Sequence, residues 1–401
     1  MRIAIISDHR GWEWAGCEEV WFAVASKALE LGHKVAVFLC RRNVPEKKLK
    51  PLVDLGMELH LPGPGLALVE RTRRISWKMG NTIAPWSVPF HKIEKFSPNV
   101  VLYNAGDAIP NAAVLSQIKR SNALRWPYVV ICNNSHMFDP PPTGSHRDAA
   151  VELYQRARLV LSPAARAFSD VEQMLAARIA ESRVVRNPVT MNDTSVLPMP
   201  ANPVVQIAQI GRLDYVQKGQ DTLLAALGAC SFRQQPWQLS IYGDGGDPEH
   251  VRRLAKHYGI PDRVTVKAYS KDIRAIWAET HLLVLPSRFE TAPIVMTEAM
   301  LCGRPCVVTD VGSMTEWIRE PETGFVSPGI HAESFRAALE RAWRARSEWS
   351  SIGLRAHDRA QELRDTGGGN QILKALAEAA GEADAMNPGA RVEPQANGAL
   401  V

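Results

Sequence analysis

The stretch HLLVLPSRFETAPIVMTEAMLCGRPCVVTD, residues 281–310, constrains the fold of this chain more than any other. It begins with an apolar run of buried-strand length, residues 281–285, and ends with another, residues 306–309. The segment 293–302 between them predicts a short helix, because proline suits the first helical position and a glycine follows the last. A strand–helix–strand order builds a parallel sheet, and open α/β sheets bind ligands beyond the carboxyl ends of their strands. The loop after residue 285 is therefore a candidate ligand site.

Strands and helices alternate in the same way along the rest of the chain. The predicted strands of the first half are residues 3–7, 34–39, 100–103, 128–132, 159–162 and 183–185. Those of the second half are residues 204–210, 238–242, 264–267, 281–285 and 306–309. Helices are predicted at residues 18–31, 111–124, 220–227, 248–257, 271–279, 293–302, 332–346 and 370–380. Residues 51–61 are predicted to form a short helix that leads to another strand. This alternation predicts two doubly wound α/β domains, and two such sheets that face each other leave a cleft for a ligand.

The boundary between the two predicted domains lies at residues 189–203, which contain several prolines and little hydrophobic periodicity. Such a segment indicates a linker. The predicted domains are therefore residues 1–188 and 204–380, with the last helices able to pack back on the first domain. Residues 381–401 are small and polar, with proline and glycine, and predict a disordered tail.

The composition is typical of a soluble globular protein, with 46% hydrophobic and 22% charged residues. No apolar run approaches the length of a membrane-spanning helix, and the first residues lack the features of a signal peptide. A cytoplasmic location is therefore expected. The six cysteines are scattered, and no Cys/His cluster completes a metal-ligand set. Neither a metal nor a cofactor is expected.

Residues 71–95 combine arginine and lysine with aromatic residues, and they lie in a basic half of the chain. Residues 1–190 carry a net charge of +8, and the remainder carries −3. This mixture is typical of a surface that contacts a membrane or an anionic acceptor. A solvated face whose tryptophans lie in the core explains the same pattern. Peripheral membrane contact through residues 71–95 is thus one hypothesis, and a nucleic-acid partner is not expected because no such motif is present.

A series of motifs resembles a known family. The second half contains IGRLDYVQKGQDTLLAAL (210–227), IYGDGG (241–246), PSRFETAPIVMTEAMLCGRPCVVTDVGSMTEWI (286–318) and TGFV (323–326). The first half contains AGCEE (15–19) and GHKVAVF (32–38). In this order the motifs resemble the retaining glycosyltransferases of family 4. The resemblance covers nearly the whole chain and implies the GT-B fold, in which two Rossmann-like domains face each other across a central cleft.

Two cations are the candidate diphosphate ligands. A nucleotide-sugar donor needs positive charge at its diphosphate, because negative charge grows there as the glycosidic bond breaks. Arg212 and Lys218 follow a predicted strand end, and the resemblance implies that both contact the diphosphate. The sequence has no Asp-x-Asp pair, which argues against a metal-dependent site.

Two carboxylates complete the candidate donor site. Glu298 has two acceptor oxygens on a helix and suits the two hydroxyls of a ribose, which is also its role by resemblance. The resemblance places Glu290 beside the transferred sugar. The loop that follows it departs from the family, because Thr291-Ala292-Pro293 replaces the common Gly-Phe-Gly and Pro293 has no N–H to donate. Thr291, Ala292 and Ile294 are nevertheless predicted donor-binding residues.

Four further residues are assigned by resemblance. Gly312 and Ser313 precede a helix, where backbone N–H groups can approach a phosphate. Gly16 matches one glycine of a pair that approaches the donor phosphate or the acceptor, and Ala15 replaces its partner. His136 follows the predicted strand 128–132 and matches a histidine that reaches the donor sugar.

Together these residues predict a retaining, metal-independent glycosyltransferase of the hexosyltransferase type. It would move a sugar from a UDP- or GDP-sugar to a glycan, lipid-linked or small-molecule acceptor. Retention of configuration is implied by the resemblance. Two alternatives stay open at this stage. One is another GT-B enzyme of nucleotide sugars, such as an epimerase or a hydrolase, and the other is a non-catalytic module that binds nucleotide sugars.

Overall fold

Two parallel β-sheets, one in each half of the chain, carry the fold. The computed structural model describes residues 1–9, 14, 16–41, 44–62, 88–134, 140–189, 191–246, 248–270, 272–367 and 369–382. The first sheet has seven strands in the order β3-β2-β1-β4-β5-β6-β7, and the second has six in the order β10-β9-β8-β11-β12-β13. In both sheets the strand order reverses beside the first strand of the domain. That reversal is the point where doubly wound sheets open a ligand crevice.

The strands of the first sheet are β1 (Arg2–Asp8), β2 (Lys34–Leu39), β3 (Glu58–His60), β4 (Val100–Ala105), β5 (Tyr128–Cys132), β6 (Leu159–Ser162) and β7 (Ser182–Val184). Its helices are α1 (Gly16–Glu30), α2 (Glu46–Asp54), α3 (His91–Phe96), α4 (Ala112–Ser121), α5 (Gly144–Arg156) and α6 (Arg166–Leu175). Ile5 of β1 pairs with Val37 on one side and Leu102 on the other. Alternate residues of β1 enter different cores, since Ile3 and Ile5 pack on one face and Ala4 and Ile6 on the other. Strands covered on both faces must be apolar throughout, which explains their unbroken hydrophobic runs.

The second sheet is built in the same way. Its strands are β8 (Val205–Ile210), β9 (Trp237–Tyr242), β10 (Val264–Lys267), β11 (Leu282–Leu285), β12 (Cys306–Thr309) and β13 (Phe325–Ser327). Its helices are α7 (Tyr215–Lys218), α8 (Gln220–Leu227), α9 (Cys230–Arg233), α10 (Pro248–His257), α11 (Ile273–Glu279), α12 (Ile294–Leu301), α13 (Met314–Trp317), α14 (Ala332–Arg344) and α15 (Trp349–Leu363). All the pairings within this sheet are parallel.

The last helix, α16 (Asn370–Ala380), returns to the first sheet. Ile372, Leu373 and Leu376 pack in the same core as α1. Glu378 accepts a hydrogen bond of 2.8 Å from Arg183 at the edge of that sheet. Over the residues that the structure describes, the chain therefore crosses between the domains twice, and the last described helix belongs to the core of the first domain.

Contacts between the domains lie near the carboxyl ends of the strands. Arg166 pairs with Asp310 at 2.7 Å, and Arg186 pairs with Glu316 at 2.9 Å. Asn187 donates to the carbonyl oxygen of Ala292 at 2.9 Å. These contacts join the two domains beside the cleft that the strand ends form.

The short helix predicted in residues 51–61 is wrong in its start, since α2 spans Glu46–Asp54. The strand predicted to follow it is β3, Glu58–His60. The buried residues of α2 are Leu49 and Leu52, so its apolar face begins before Pro51. A proline within the helix removes one backbone hydrogen bond, but here packing on the sheet outweighs that loss.

Several elements were not predicted from the sequence. Among the strands and the longer helices, the unpredicted elements are α5, α6, α15 and β13. In α5 only Ala150, Leu153 and Tyr154 are buried, so the apolar stripe is too narrow to stand out among charged residues. Within the described residues, no helix has the length and apolar character needed to cross a bilayer. Ala15, His136, residues 71–87 and residues 383–401 lie outside the described residues, so the predictions made for them stay predictions.

Candidate active site

A large cleft lies between the carboxyl ends of the strands of the two sheets. Its volume is about 1880 Å³. One wall belongs to the first domain and includes His9, Asp107 and Asn133. The opposite wall belongs to the second domain, and its charged lining residues include Arg212, Lys218, Glu290 and Glu298. Parallel strands all point their carboxyl ends at one edge, so side chains that are distant in sequence meet there.

Arg212 and Lys218 are held in place by the loop after β8. The side-chain carbons of Lys218 lie along Gly211, where an added Cβ would be 3.5 Å from the Cε of the lysine. Arg212 donates to Oε1 of Gln217 at 2.6 Å, and its carbonyl oxygen accepts from Gln220 at 2.9 Å. Both cations line the cleft. The loop therefore places both positively charged side chains on the lining of the cleft.

Glu290 lies in the loop after β11 and forms an ion pair with Lys218. Ser287 donates a second hydrogen bond to the same carboxylate oxygen at 3.2 Å. The side chains of the lysine and the glutamate are only 16% and 9% exposed. Removal of water strengthens the attraction between opposite charges. The pair is thus largely shielded from water on the wall of the cleft.

Glu298 lies on α12 and also lines the cleft. It is 6% exposed, whereas its neighbours Ala299 and Met300 are fully buried in the core. The helix is therefore anchored by apolar packing and presents this carboxylate to the cavity. Tyr269, after β10, lies on the same wall. Burial, and then the charge of Glu298, raise the pKa of Tyr269.

The loop from Thr291 to Ile294 forms the middle of this wall. Two hydrogen bonds fix the loop. The carbonyl oxygen of Thr291 accepts from the Ser313 N–H at 2.7 Å, and that of Ala292 accepts from Asn187. Gly16 approaches it from the first domain, and an added Cβ there would lie 3.7 Å from Cδ1 of Ile294. The structure thus brings Thr291, Ala292, Ile294 and Gly16 together on the lining of the cleft.

Gly312 and Ser313 lie behind the Glu290 loop and are not among the described residues that line the cleft. Gly312 has φ +54, and an added Cβ would lie 2.1 Å from the carbonyl oxygen of Glu290. Ser313 is fully buried, and its N–H is already bonded to Thr291. The Ser313 N–H is therefore engaged within the chain and both residues support the loop, while their predicted contact with a phosphate stays a prediction.

The first-domain wall contains residues that sequence reasoning missed. His9 follows β1, Asp107 follows β4 and Asn133 follows β5. Burial, with a smaller contribution from the nearby charge of Arg41, lowers the pKa of His9 to about 4. The charge of Arg212, on the opposite wall, acts in the same direction. Each of the three follows an apolar strand run, which is the one signal in the sequence that could have found them.

Behind this wall a buried carboxylate, Glu18, organises the start of α1. It is fully buried and accepts hydrogen bonds from Ser7 at 2.7 Å, from Trp21 at 2.6 Å and from Arg41 at 2.8 Å. All these partners belong to the first domain, so this carboxylate stabilises the strand β1 and the helix that follows it. Across the described part of the chain, no group of three or more His, Cys, Asp and Glu side chains is arranged to hold a metal ion.

Comparisons with known proteins agree with this architecture. Residues 205–345 match the family model described as glycosyl transferases group 1. An exopolysaccharide phosphotransferase of Streptomyces coelicolor is 34% identical over 124 residues, which cover 30% of this chain and 13% of that protein. An alpha-D-kanosaminyltransferase of Streptomyces kanamyceticus is 31% identical over 137 residues, which cover 34% of this chain and 35% of that protein. The chain spans less than half the length of these curated relatives.

A solved structure extends the likeness to both domains. The structure of Anabaena Alr3699/HepE in complex with UDP has a TM-score of 0.69 and 18% identity, and it covers 94% of this chain and 100% of its own. At this identity the likeness shows the fold. Together with the two parallel sheets, it confirms the predicted architecture of two facing Rossmann-like domains.

Proposed function

We propose that the protein is a retaining, metal-independent glycosyltransferase of family 4, because residues 205–345 match the family model described as glycosyl transferases group 1. Its donor is a nucleotide sugar, UDP- or GDP-linked, and its acceptor is a glycan, a lipid-linked sugar or a small molecule. The observation that carries the proposal is the convergence of Arg212, Lys218, Glu290 and Glu298 on one wall of the cleft.

Arg212 and Lys218 are the proposed diphosphate ligands. When the bond between the sugar and the diphosphate breaks, the departing phosphate gains negative charge, and fixed cations stabilise it. The hydrogen bonds from Arg212 to Gln217 and from Gln220 to Arg212 hold the first cation before the donor arrives. Fixed cations do not need to reorganise during the reaction, so they favour the transition state.

Glu298 is the proposed ribose ligand and Glu290 the proposed partner of the transferred sugar. Glu298 is rigidly placed on α12, which suits recognition of two neighbouring hydroxyls by two carboxylate oxygens. Thr291 and Ala292 line the same wall and complete the proposed donor pocket. The similar structure of Anabaena HepE was solved in complex with UDP, which supports a uridine nucleotide as the donor.

In the proposed reaction, an acceptor held by the first domain attacks the anomeric carbon from the face that the diphosphate leaves. A bond forms between the acceptor oxygen and the anomeric carbon as the bond to the diphosphate oxygen breaks. The proton of the acceptor hydroxyl passes to the departing diphosphate. Glu290 stabilises the positive charge that develops on the sugar, and Arg212 and Lys218 stabilise the leaving group.

Nucleotide release separates this function from the two alternatives. The purified chain is incubated with UDP- and GDP-sugars, with and without a mixture of sugar acceptors, and the free nucleotide is measured. A glycosyltransferase releases nucleotide mainly when an acceptor is added. Acceptor-independent release of nucleotide indicates a hydrolase, and conversion of the donor into an isomeric nucleotide sugar without release of nucleotide indicates an epimerase. Binding without either change indicates a binding module.

A further inference from the structure

Two buried polar atoms on the first-domain wall of the cleft lack a hydrogen-bond partner within the described part of the chain. They are Nε2 of His9 and Oδ1 of Asn133. Both residues line the cleft. A buried polar group without a partner is costly, and in native proteins it calls for an explanation such as a ligand.

The two atoms lie at the ends of two strands that are separated by one further strand. His9 follows β1, Asn133 follows β5, and β4 lies between these strands. Gly106, at the end of β4, permits the close approach, because an added Cβ would lie 2.9 Å from the carbonyl oxygen of Asp8 and 3.0 Å from the Cα of His9. The sheet therefore brings the histidine and the asparagine to one edge of the cavity.

The orientation of Asn133 follows from its partners. Its amide nitrogen donates to Oδ1 of Asn104 at 2.8 Å and to the carbonyl oxygen of Ala105 at 3.0 Å. Asn104 is itself fixed, since its own amide nitrogen donates to Ser7 at 3.1 Å. A flipped amide would set oxygen against oxygen, so the unpartnered atom is the carbonyl oxygen. That atom can only accept a hydrogen bond.

His9 is uncharged at neutral pH. Burial lowers its pKa to about 4, and the charges of Arg41 and Arg212 act in the same direction, against the charge of Asp107. A neutral imidazole nitrogen either donates or accepts one hydrogen bond, depending on the tautomer. His9 can therefore bind a hydroxyl group, which is itself both donor and acceptor.

The charge of this edge disfavours an anion. Asp107 is exposed at the end of β4, between the two residues, and accepts from Asn134 at 3.3 Å. Within the described lining of this wall the one lysine is Lys48, which pairs with Glu19 and lies over the ring of Trp14. On this wall a phosphate group would meet the carboxylate of Asp107 and the acceptor-only oxygen of Asn133. Of the two cations whose charge reaches His9, Arg41 is paired with Glu18 and Arg212 is the proposed ligand of the donor diphosphate.

We propose that His9, Asn133 and Asp107 form the acceptor subsite and that it selects a neutral, polyhydroxylated acceptor, a sugar without phosphate. The hydroxyls of such an acceptor supply the donor that Oδ1 of Asn133 lacks, and one of them satisfies Nε2 of His9. Another can donate to the exposed carboxylate of Asp107. This inference rests on the proposed function and specifies its acceptor.

The test compares matched pairs of sugars on the full chain. The protein is saturated with UDP, or with GDP if GDP binds more tightly. Binding of glucose, N-acetylglucosamine and myo-inositol, each beside its monophosphate, is then measured by saturation-transfer NMR. The neutral members should bind at least about tenfold more tightly than their phosphates. Asp107→Asn should reduce the difference in affinity between each neutral sugar and its phosphate, since it removes the negative charge that repels the phosphate.

Variants separate recognition from folding. His9→Phe and Asn133→Leu should each weaken neutral-sugar binding by about tenfold or more and leave nucleotide affinity unchanged. His9→Gln, which keeps a polar group at that end, should restore most of the binding. His146→Phe is the matched control, because this second histidine of the same wall already bonds the carbonyl oxygen of Pro110 at 2.8 Å. It should leave sugar binding unchanged.

The outcomes distinguish this inference from the proposed function. Failure to bind UDP, GDP or ADP would contradict the proposed function itself. Nucleotide binding combined with equal or tighter binding of the phosphorylated sugars would overturn the inference alone. So would the absence of a response to every neutral sugar, or an equal effect of His9→Phe and His146→Phe.

Discussion

Lys218 and Glu290 form an ion pair at the inner side of the cleft, with the ammonium group against Oε1 of the carboxylate. Both belong to the proposed donor site, so the pair has to change when a donor binds. The lysine can contact a diphosphate only by sharing or leaving its carboxylate partner. Because both side chains are largely buried, Glu290 competes strongly with the diphosphate for Lys218.

Glu290→Gln should separate donor binding from transfer. Without its charged partner, Lys218 is available to the diphosphate, so we expect UDP to bind somewhat more tightly. Transfer should fall by about 100-fold, because the charge that stabilises the transition state is lost. Calorimetry with UDP and initial rates of transfer measure the two effects. A parallel fall in affinity and rate would show that the ion pair does not compete with the donor.

Glu298→Ala tests ribose recognition. We expect UDP to bind about 10- to 100-fold more weakly, which corresponds to the loss of hydrogen bonds to a charged group. The probe is 2′,3′-dideoxyuridine diphosphate, which lacks both hydroxyls and should bind the wild type and the variant equally. If the variant lost affinity for both nucleotides to the same extent, Glu298 would act on something other than the ribose.

Gly312 and Gly144 make a matched pair for the support of the Glu290 loop. Their φ angles are +54 and +53, but an added Cβ would lie 2.1 Å from the carbonyl oxygen of Glu290 at Gly312 and meets nothing within 4 Å at Gly144. Gly144→Ala should cost about 1–2 kcal/mol of stability through the backbone alone. Gly312→Ala should cost roughly 2 kcal/mol more through overpacking and should also weaken donor binding. Chemical denaturation of both variants checks this, and equal costs would contradict the packing role.

Most of the fold could be predicted because buried parallel strands are apolar along their whole length. The unit at residues 281–310 illustrates this: β11, α12 and β12 lie within one residue of the predicted bounds at nearly every end. The helix α5 could not be predicted, because its buried stripe is narrow and charged residues dominate the pattern. Such a helix is stabilised by its packing against the rest of the protein, and its own sequence does not reveal that packing.

The residues on the second-domain wall of the cleft were predictable from the sequence, and those on the first-domain wall were not. Two motifs of the second domain, residues 210–227 and 286–318, contain Arg212, Lys218, Glu290 and Glu298. Both the resemblance and the predicted strand ends therefore indicate these residues. His9, Asp107 and Asn133 are single polar residues after three separate strands, and only the strand order β1-β4-β5 brings them together. The loop-supporting role of Gly312 depends on φ and on free space, and neither is visible in a sequence.

Acid should destabilise the protein partly through His9. Its pKa is about 4 in the folded chain and 6.5 ordinarily, so the unfolded chain binds more protons between these values. Stability should therefore fall as the pH falls from 6.5 to 4, by at most roughly 3 kcal/mol for this group. His33, His60 and His281, whose pKa values burial also lowers, contribute with the same sign. Denaturation between pH 4 and 8 should show a shallower slope for His9→Gln, and an unchanged slope would exclude this histidine as a contributor.

Arg212 and Lys218 are the proposed ligands of the donor diphosphate, and calorimetric titration of UDP and of uridine tests this role most directly. For Arg212→Ala and Lys218→Ala, we expect the affinity for UDP to fall by about 10- to 100-fold relative to the wild type. Uridine, which has no phosphate, should bind all three proteins equally. If both variants bound UDP as tightly as the wild type, these cations would not be the diphosphate site and the proposed donor site would be wrong.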